Sequence, residues 1–264
     1  MPVKFLIPLS FSRLGFLSLC FLCGGCQKEI SCNRYGLTKQ AKQITEYGTV
    51  IGHDSASVQL RDTLTVTQRF YNDRSLLAKM TEGTLSDKEL VEIEIVYKEE
   101  DRVLKEIVYI NADTIVVNYN YRDTLLASTF SLYEDSDFKF EVRQSYHYDP
   151  EQKLASITKS EIVTLIEETD TLKHFEEVNI YNPDQQLTET RKTDFSDAKN
   201  NQVSFYFYDE TGKGKGAETY NYKDSLTEKS VYEYKDDAFG NWIEKKTLID
   251  GRPKYLIIRE IIYR

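Results

Sequence analysis

Ile115-Val-Val117-Asn-Tyr119-Asn-Tyr121-Arg-Asp123-Thr-Leu125 is the stretch that decides the fold. Its large apolar and aromatic residues fall on every second position, the period of a strand with one face covered. Asp123 then supplies a turn former, and Leu125 opens a second apolar stretch running back. The same order recurs outward from here in both directions: an aromatic strand end, usually Tyr-x-Tyr, then Asp or Asn, then Leu. It is found as Phe70-Tyr71-Asn72-Asp73 with Leu76, Tyr146-His-Tyr148-Asp149-Pro150 with Leu154, and Ile180-Tyr181-Asn182-Pro183 with Leu187. It continues as Tyr206-Phe-Tyr208-Asp209 with Gly212, Tyr220-Asn-Tyr222-Lys-Asp224 with Leu226, and Tyr232-Glu-Tyr234-Lys-Asp236. The last aromatics of successive units lie 50, 27, 33, 27, 14 and 12 residues apart, and Val96-Tyr97 divides the first interval into 26 and 24. A repeat of about 25 residues holds two strands and two turns, so each unit reads as a β-hairpin.

Further strands follow from the same alternation. Val91-Glu-Ile93-Glu-Ile95-Val-Tyr97 alternates apolar with acidic, whereas Val203-Ser-Phe205-Tyr-Phe207-Tyr208 and Tyr255 to Tyr263 are apolar on both phases. Leu37-Thr-Lys-Gln-Ala41-Lys-Gln-Ile44 is the exception, its spacing of four and three predicting a short helix before the first strand. Consecutive hairpins pair in sequence, and a twisted sheet of more than about ten strands curls or splits. The expectation is an all-β fold of antiparallel up-and-down hairpin repeats, forming a curled sheet or an open or half-open β-barrel-like shell. Its boundaries are a leader over 1–25, a linker with the short helix over 26–48, and one β-repeat domain over 49–264.

These Tyr-x-Tyr-Asp units resemble the YD repeats of RHS-type proteins. The stretch Tyr232-Glu-Tyr234-Lys-Asp236-Asp237-Ala-Phe-Gly240-Asn241-Trp242, followed by Asp250-Gly251-Arg252-Pro253 and Arg259-Glu260-Ile-Ile-Tyr263, resembles the closing unit of RHS-like lipoproteins of Bacteroidota. The resemblance spans about residues 62–264 and implies a strand array wound as a shell. One departure stands out: the repeat places Gly after the turn, yet no Gly occurs between Gly83 and Gly212. Turns there must rest on Asn, Asp, Ser and Pro.

The leader carries an address. Lys4 and Arg13 precede the mostly apolar run Leu14–Leu22, which has the length of a signal-peptide core and is too short for a bilayer span. Cys23-Gly24-Gly25-Cys26 follows and resembles the lipobox of bacterial lipoprotein precursors. The resemblance implies cleavage before Cys26 and lipidation of its sulfur, and two or more acyl chains suffice for stable anchoring. An ordinary secretory peptide cut nearby is the alternative. Gln27-Lys28-Glu29 resembles a surface-export signal of Bacteroidota lipoproteins, so the expectation is an outer-membrane lipid anchor facing outward, with the periplasmic face as the alternative. The two C-x-x-C spacings in this stretch lie inside the leader and carry no redox reading.

The chain has 34 Lys+Arg against 43 Asp+Glu and 19 Tyr in 264 residues. At 40% hydrophobic it can build a core, which excludes a disordered chain. Removing the leader takes away Lys4 and Arg13 and no acid, moving the formal charge from −9 to −11 and arguing against nucleic acid as a partner. No motif calls for a cofactor, and His53, His147 and His174 share no metal-ligand spacing. Gly212-Lys-Gly214-Lys-Gly216 leads into a strand pattern rather than a helix, so it reads as a hairpin turn and not a phosphate loop. Tyr119, Tyr121, Tyr146, Tyr148, Tyr206, Tyr208, Tyr220, Tyr222, Tyr232 and Tyr234 are candidate ligand-facing rings for a glycan, peptide or lipid. The competing reading of them is a cross-strand ladder inside the sheet. Trp242 reads as a closing-hairpin anchor. The functional expectation is a non-enzymatic lipoprotein that binds or scaffolds an extracytoplasmic ligand. A lipid or lipoprotein carrier and a glycan-acting enzyme with paired carboxylates are the alternatives.

Overall fold

A computed structural model describes residues 41–54, 57–84, 90–98, 102–110, 113–166 and 171–264. The leader, Cys26 and the linker to residue 40 lie outside the described residues. The first eight strands are β1 (Ala41–Asp54), β2 (Ser57–Tyr71), β3 (Leu77–Gly83), β4 (Leu90–Tyr97), β5 (Val103–Ile110), β6 (Asp113–Arg122), β7 (Leu125–Glu134) and β8 (Phe138–Tyr148). The other eight are β9 (Leu154–Leu165), β10 (Thr171–Tyr181), β11 (Leu187–Asp194), β12 (Gln202–Tyr208), β13 (Gly214–Asn221), β14 (Leu226–Asp236), β15 (Trp242–Ile249) and β16 (Arg252–Tyr263). Every strand pairs antiparallel with its predecessor, and β1 pairs with β16, so the sheet is a closed sixteen-strand barrel. The shell expected to be half-open is therefore closed. The register from Ala41↔Tyr263 to Val50↔Tyr255 consumes both edges, which would otherwise invite pairing with other chains.

The helix expected over Leu37–Ile44 is corrected from Ala41 onward, and the sheet begins before the boundary placed at Thr49. Ala41 and Ile44 are both 0% exposed although three residues apart. A bulge between Ala41 and Gln43 against β16 inserts one residue and brings both side chains to the same face. A strand thereby imitates the spacing of a helix.

Up-and-down winding puts alternate turns on the same rim. Tyr71, Tyr97, Tyr148, Tyr181 and Tyr208 end strands, and Tyr121 stands one residue before the end of β6, at the rim where Ala41 and Tyr263 lie, called here the terminal rim. Each is followed by a turn and then by a bulge, pairing as Tyr71↔Leu77, Tyr97↔Val103, Tyr121↔Leu126, Tyr148↔Leu154, Tyr181↔Leu187 and Tyr208↔Gly214. The repeat is thus one hairpin, and each bulge adds local twist to a sheet that must close. Tyr222 belongs to the opposite rim, which explains why its intervals are half the usual length.

Five of the terminal-rim turns share one construction, whereas the two-residue Asp123-Thr124 turn between β6 and β7 has positive φ at Asp123 itself (55°). Asn72, Asp149, Asn182, Asp209 and Asp237 each accept, through Oδ1, the backbone N–H four residues on. The residue three on takes positive φ: Ser75 (64°), Gln152 (63°), Gln185 (64°), Gly212 (84°) and Gly240 (79°). Missing glycines are therefore replaced by strained residues held by their Asx partner. The hairpin turn expected at Gly212 is one of this set.

Inside, Ala41, Ile44, Tyr71, Leu77, Met80, Val91, Ile93, Ile95, Val103, Val108, Ile115, Val117, Phe140, Val142 and Val163 form one buried cluster drawn from β1 to β9. They are 0–8% exposed, so this part of the barrel is filled by side chains rather than by water. On β12 to β16, inward Ala217, Ser230 and Arg259 are buried, but Tyr206, Tyr208, Tyr232, Tyr234 and Lys245 are only half-buried. The lumen is dry at one side and open at the other.

Candidate functional site

The lumen is the candidate site, because the residues that combine charge, hydrogen bonding and partial exposure converge there. Its tyrosines come first. Tyr119, Tyr121, Tyr146, Tyr148, Tyr206, Tyr208, Tyr232 and Tyr234 lie on the inward phase of their strands, in register with buried residues. Four strand-end hydroxyls donate to the backbone of the preceding hairpin: Tyr97 to Leu77 O (2.6 Å), Tyr121 to Val103 O (2.7 Å), Tyr148 to Leu126 O (3.0 Å) and Tyr208 to Leu187 O (2.8 Å). Each acceptor is the residue that opens a bulge. Tyr119 donates to Glu106 and Tyr146 to Gln144, both inward. Tyr220 instead points outward, donating to Glu218 Oε2 at 3.0 Å, and Tyr222 is exposed in its turn.

Besides Glu106, two clusters of charged residues interrupt the apolar lining. On β1, β2 and β16, Glu46 receives Arg69 Nη1 on Oε2 at 2.6 Å, and Arg259 Nε and Nη2 on Oε1 at 2.9 and 2.6 Å. The Arg259 side chain is 4% exposed, and its guanidinium lies 3.3 Å from the centre of the Trp242 ring, which packs edge-on to Tyr234. Burial alone would raise the Glu46 carboxyl, but Arg69 and Arg259 outweigh it and hold it below the ordinary value. Glu82, inward on β3, goes the other way: burial raises it, Glu46 adds to the rise, and Arg69 only partly offsets them. Lys245, inward on β15, has its ammonium 4.0 Å from the Tyr232 ring centre and 5.9 Å from that of Tyr234. Burial pushes its amine down, Arg259 adds to this, and Glu46 opposes it. Burial and the neighbouring Tyr232 and Tyr208 push the Tyr234 hydroxyl up to about 12.

The second group lies on β9 to β12. Lys159, Glu161, Phe175, Glu177, Lys192, Asp194, Asn200 and Gln202 line a cavity of about 300 Å³. Lys159 pairs with Glu161, and Lys192 with Glu177 at 3.3 Å. Asp194 accepts from Ser196 N (2.8 Å), Asp197 N (3.0 Å) and Asn200 Nδ2 (2.7 Å), holding the β11–β12 connection. The cavity is of a size for a small hydrophilic molecule.

None of these charged residues was singled out from the sequence. The available signal was phase: Glu46 stands two after Ile44, Lys159 two after Ile157, and Arg259 between Ile257 and Ile261. A charge on the apolar phase of a strand marks the lumen. Trp242, expected to anchor the closing hairpin, opens β15 as the half-buried platform for Arg259. His147 and His174 take the outward phase of β8 and β10, and His53 has no described side chain.

The outer wall has the opposite character. Glu92, Glu141, Glu189, Glu218 and Glu233 sit mid-strand on the outward phase and pair with Lys79, Arg143, Arg191, Lys229 and Lys246. Apolar residues share this face: Phe205 lies opposite Glu218, Val231 stands between Lys229 and Glu233 along β14, and Ile258 and Ile262 flank Glu260 along β16, while Phe207, Val231 and Leu248 form one row across the strands through Gly216.

Among solved structures, a porin-like protein from Bacteroides uniformis matches at TM-score 0.50 and 11% identity, covering 84% of this chain and 98% of that one. A second, from Bacteroides vulgatus, matches at TM-score 0.51 and 10% identity, with 85% and 98% coverage. The likeness shows a shared barrel fold. No family model matches, and neither does any curated protein, so the resemblance to RHS-type repeats and lipoproteins gains no support from them.

Proposed function

We propose that the chain is a non-enzymatic barrel lipoprotein, tethered to the outer membrane by an acylated Cys26, whose wall stands in water and whose lumen holds an extracytoplasmic ligand. The polarity of the wall carries this reading. A membrane-spanning barrel turns an apolar band about 25 Å tall toward lipid and keeps polar residues inside. On this wall mid-strand charge pairs interrupt the apolar residues. An outward Lys or Arg costs about 2–4 kcal/mol at the bilayer midplane and about 0–1 kcal/mol near the interfaces, so each of Lys79, Arg143, Arg191, Lys229 and Lys246 opposes insertion of its strand the more deeply it would lie. Membrane association agrees with the porin-like neighbours, and a lipid anchor supplies it without insertion of strands.

The ligand belongs in the cavity bounded by Phe175, Lys192, Asn200 and Gln202, where amides, an amine and one ring face the same space. A carrier of lipid chains fits less well, since the apolar part of the lumen is already filled by side chains. A glycan hydrolase also fits less well, because Glu161 and Glu177 are engaged by lysines and Asp194 by turn amides.

Cys26→Ser tests the reading. The parent chain is expected to sediment with membranes and to enter the detergent phase, and the variant to be released in soluble form without detergent. A Cys26→Ser chain that stays in membranes after alkaline carbonate extraction would overturn the proposal.

A further inference from the structure

We infer that the lumen beside β14 to β16 is a binding site for a small oxyanion, with Lys245 as the group that touches it. This rests on the proposed water-facing, ligand-holding barrel and adds the charge class of a ligand at a second place in the lumen. Lys245 lies on the inward phase, opposite Tyr234 on β14 and Ile257 on β16. Its ammonium meets only the ring faces of Tyr232 and Tyr234, and no carboxylate pairs with it among the described residues. An ammonium keeps three donors, and ring faces accept none of them as an oxyanion would.

The surroundings favour a negative guest. Arg259 spends Nε and Nη2 on Glu46, while its buried Nη1 has no acceptor among the described residues. Arg69, Arg259 and Lys245 thus face Glu46 and Glu82, three cations to two carboxylates. In a chain of formal charge −9, this is a local excess of positive charge beside the half-exposed Tyr232, Tyr234 and Lys245. Carboxylate, phosphate and sulfate share the required chemistry: oxygen acceptors on a compact anion.

The test is calorimetric titration of the full chain with sodium phosphate, sodium sulfate and sodium glucuronate, against sodium chloride at equal ionic strength. Saturable binding of at least one oxyanion is expected, weakened at least 10-fold in Lys245→Met and kept within about threefold in Lys245→Arg. Lys246→Met removes an equal charge from the outer wall and should leave it unchanged. The arm that binds tells an inorganic anion from an acidic sugar. Absence of saturable binding in the parent chain, or equal binding by parent and Lys245→Met, would overturn the inference. Folding of Lys245→Met is checked by its strand circular dichroism, and if that is lost, Lys245→Gln takes its place. Failure of the water-facing reading is separate, since it appears as a Cys26→Ser chain that needs detergent.

Discussion

At the scale of single residues, the lumen is a place where the same side-chain type behaves in opposite ways. Glu46 and Glu82 are both inward acids close to Arg69, yet the two guanidiniums on Glu46 depress its carboxyl while burial raises that of Glu82. The consequences for stability have opposite sign. A depressed folded value means that Glu46 contributes stability above the unfolded value near 4.5 and loses it as pH falls through the folded one. A raised value means that ionised Glu82 opposes folding at neutral pH, a cost removed as pH falls through its folded value. Glu82→Gln is therefore expected to raise the Tm at pH 7, the advantage shrinking on acidification and vanishing below about pH 4.5. Glu46→Gln is expected to lower stability by about 3 kcal/mol at pH 7, since it leaves Arg69 and Arg259 buried without their counter-charge. Thermal melts across pH 4–8 distinguish the two.

At the scale of the element, the hairpin is specified by three features acting together: a terminal Tyr, an Asx turn and a bulge. The Tyr latch at Tyr97, Tyr121, Tyr148 and Tyr208 joins a hairpin to the one before it and so orders neighbours. Tyr148→Phe is expected to cost about 1 kcal/mol, the value of one hydrogen bond to a carbonyl left unpaired. Gln152→Gly is expected to gain about 1 kcal/mol, because φ of 63° strains a residue with a Cβ. Urea unfolding measures both. The hairpin unit and its turns were legible in the sequence, since alternation and Tyr-x-Tyr-Asp are local signals. The bulges were not. A bulge leaves no composition signal and shifts phase by one residue, which made Ala41 and Ile44 resemble a helix face and hid the opposite rim of Tyr222 among the other units.

At the scale of the whole molecule, closure and the direction of the polar face decide what the barrel can do. Closure was beyond a local reading, because it depends on β1 meeting β16 across 213 residues, as Glu46 and Arg259 do. Which face of the sheet turns inward is likewise set only on closure. Once it is set, Ile93, Ile115 and Val142 lie inside, and Glu92, Glu141 and Arg143 lie outside. The candidate tyrosines were legible as a set but not their orientation, and the luminal charges at Glu46, Lys245 and Arg259 were hidden among ordinary charged residues. The central claim is that this wall faces water. Nitroxide labels placed one at a time at outward Ser128, Arg143, Arg191 and Lys246 test it in the acylated chain reconstituted into liposomes. Collision with a water-soluble nickel reagent is predicted to exceed collision with oxygen at all four positions, whereas oxygen-dominated collision at mid-strand around the girth would place the wall in lipid and contradict the account.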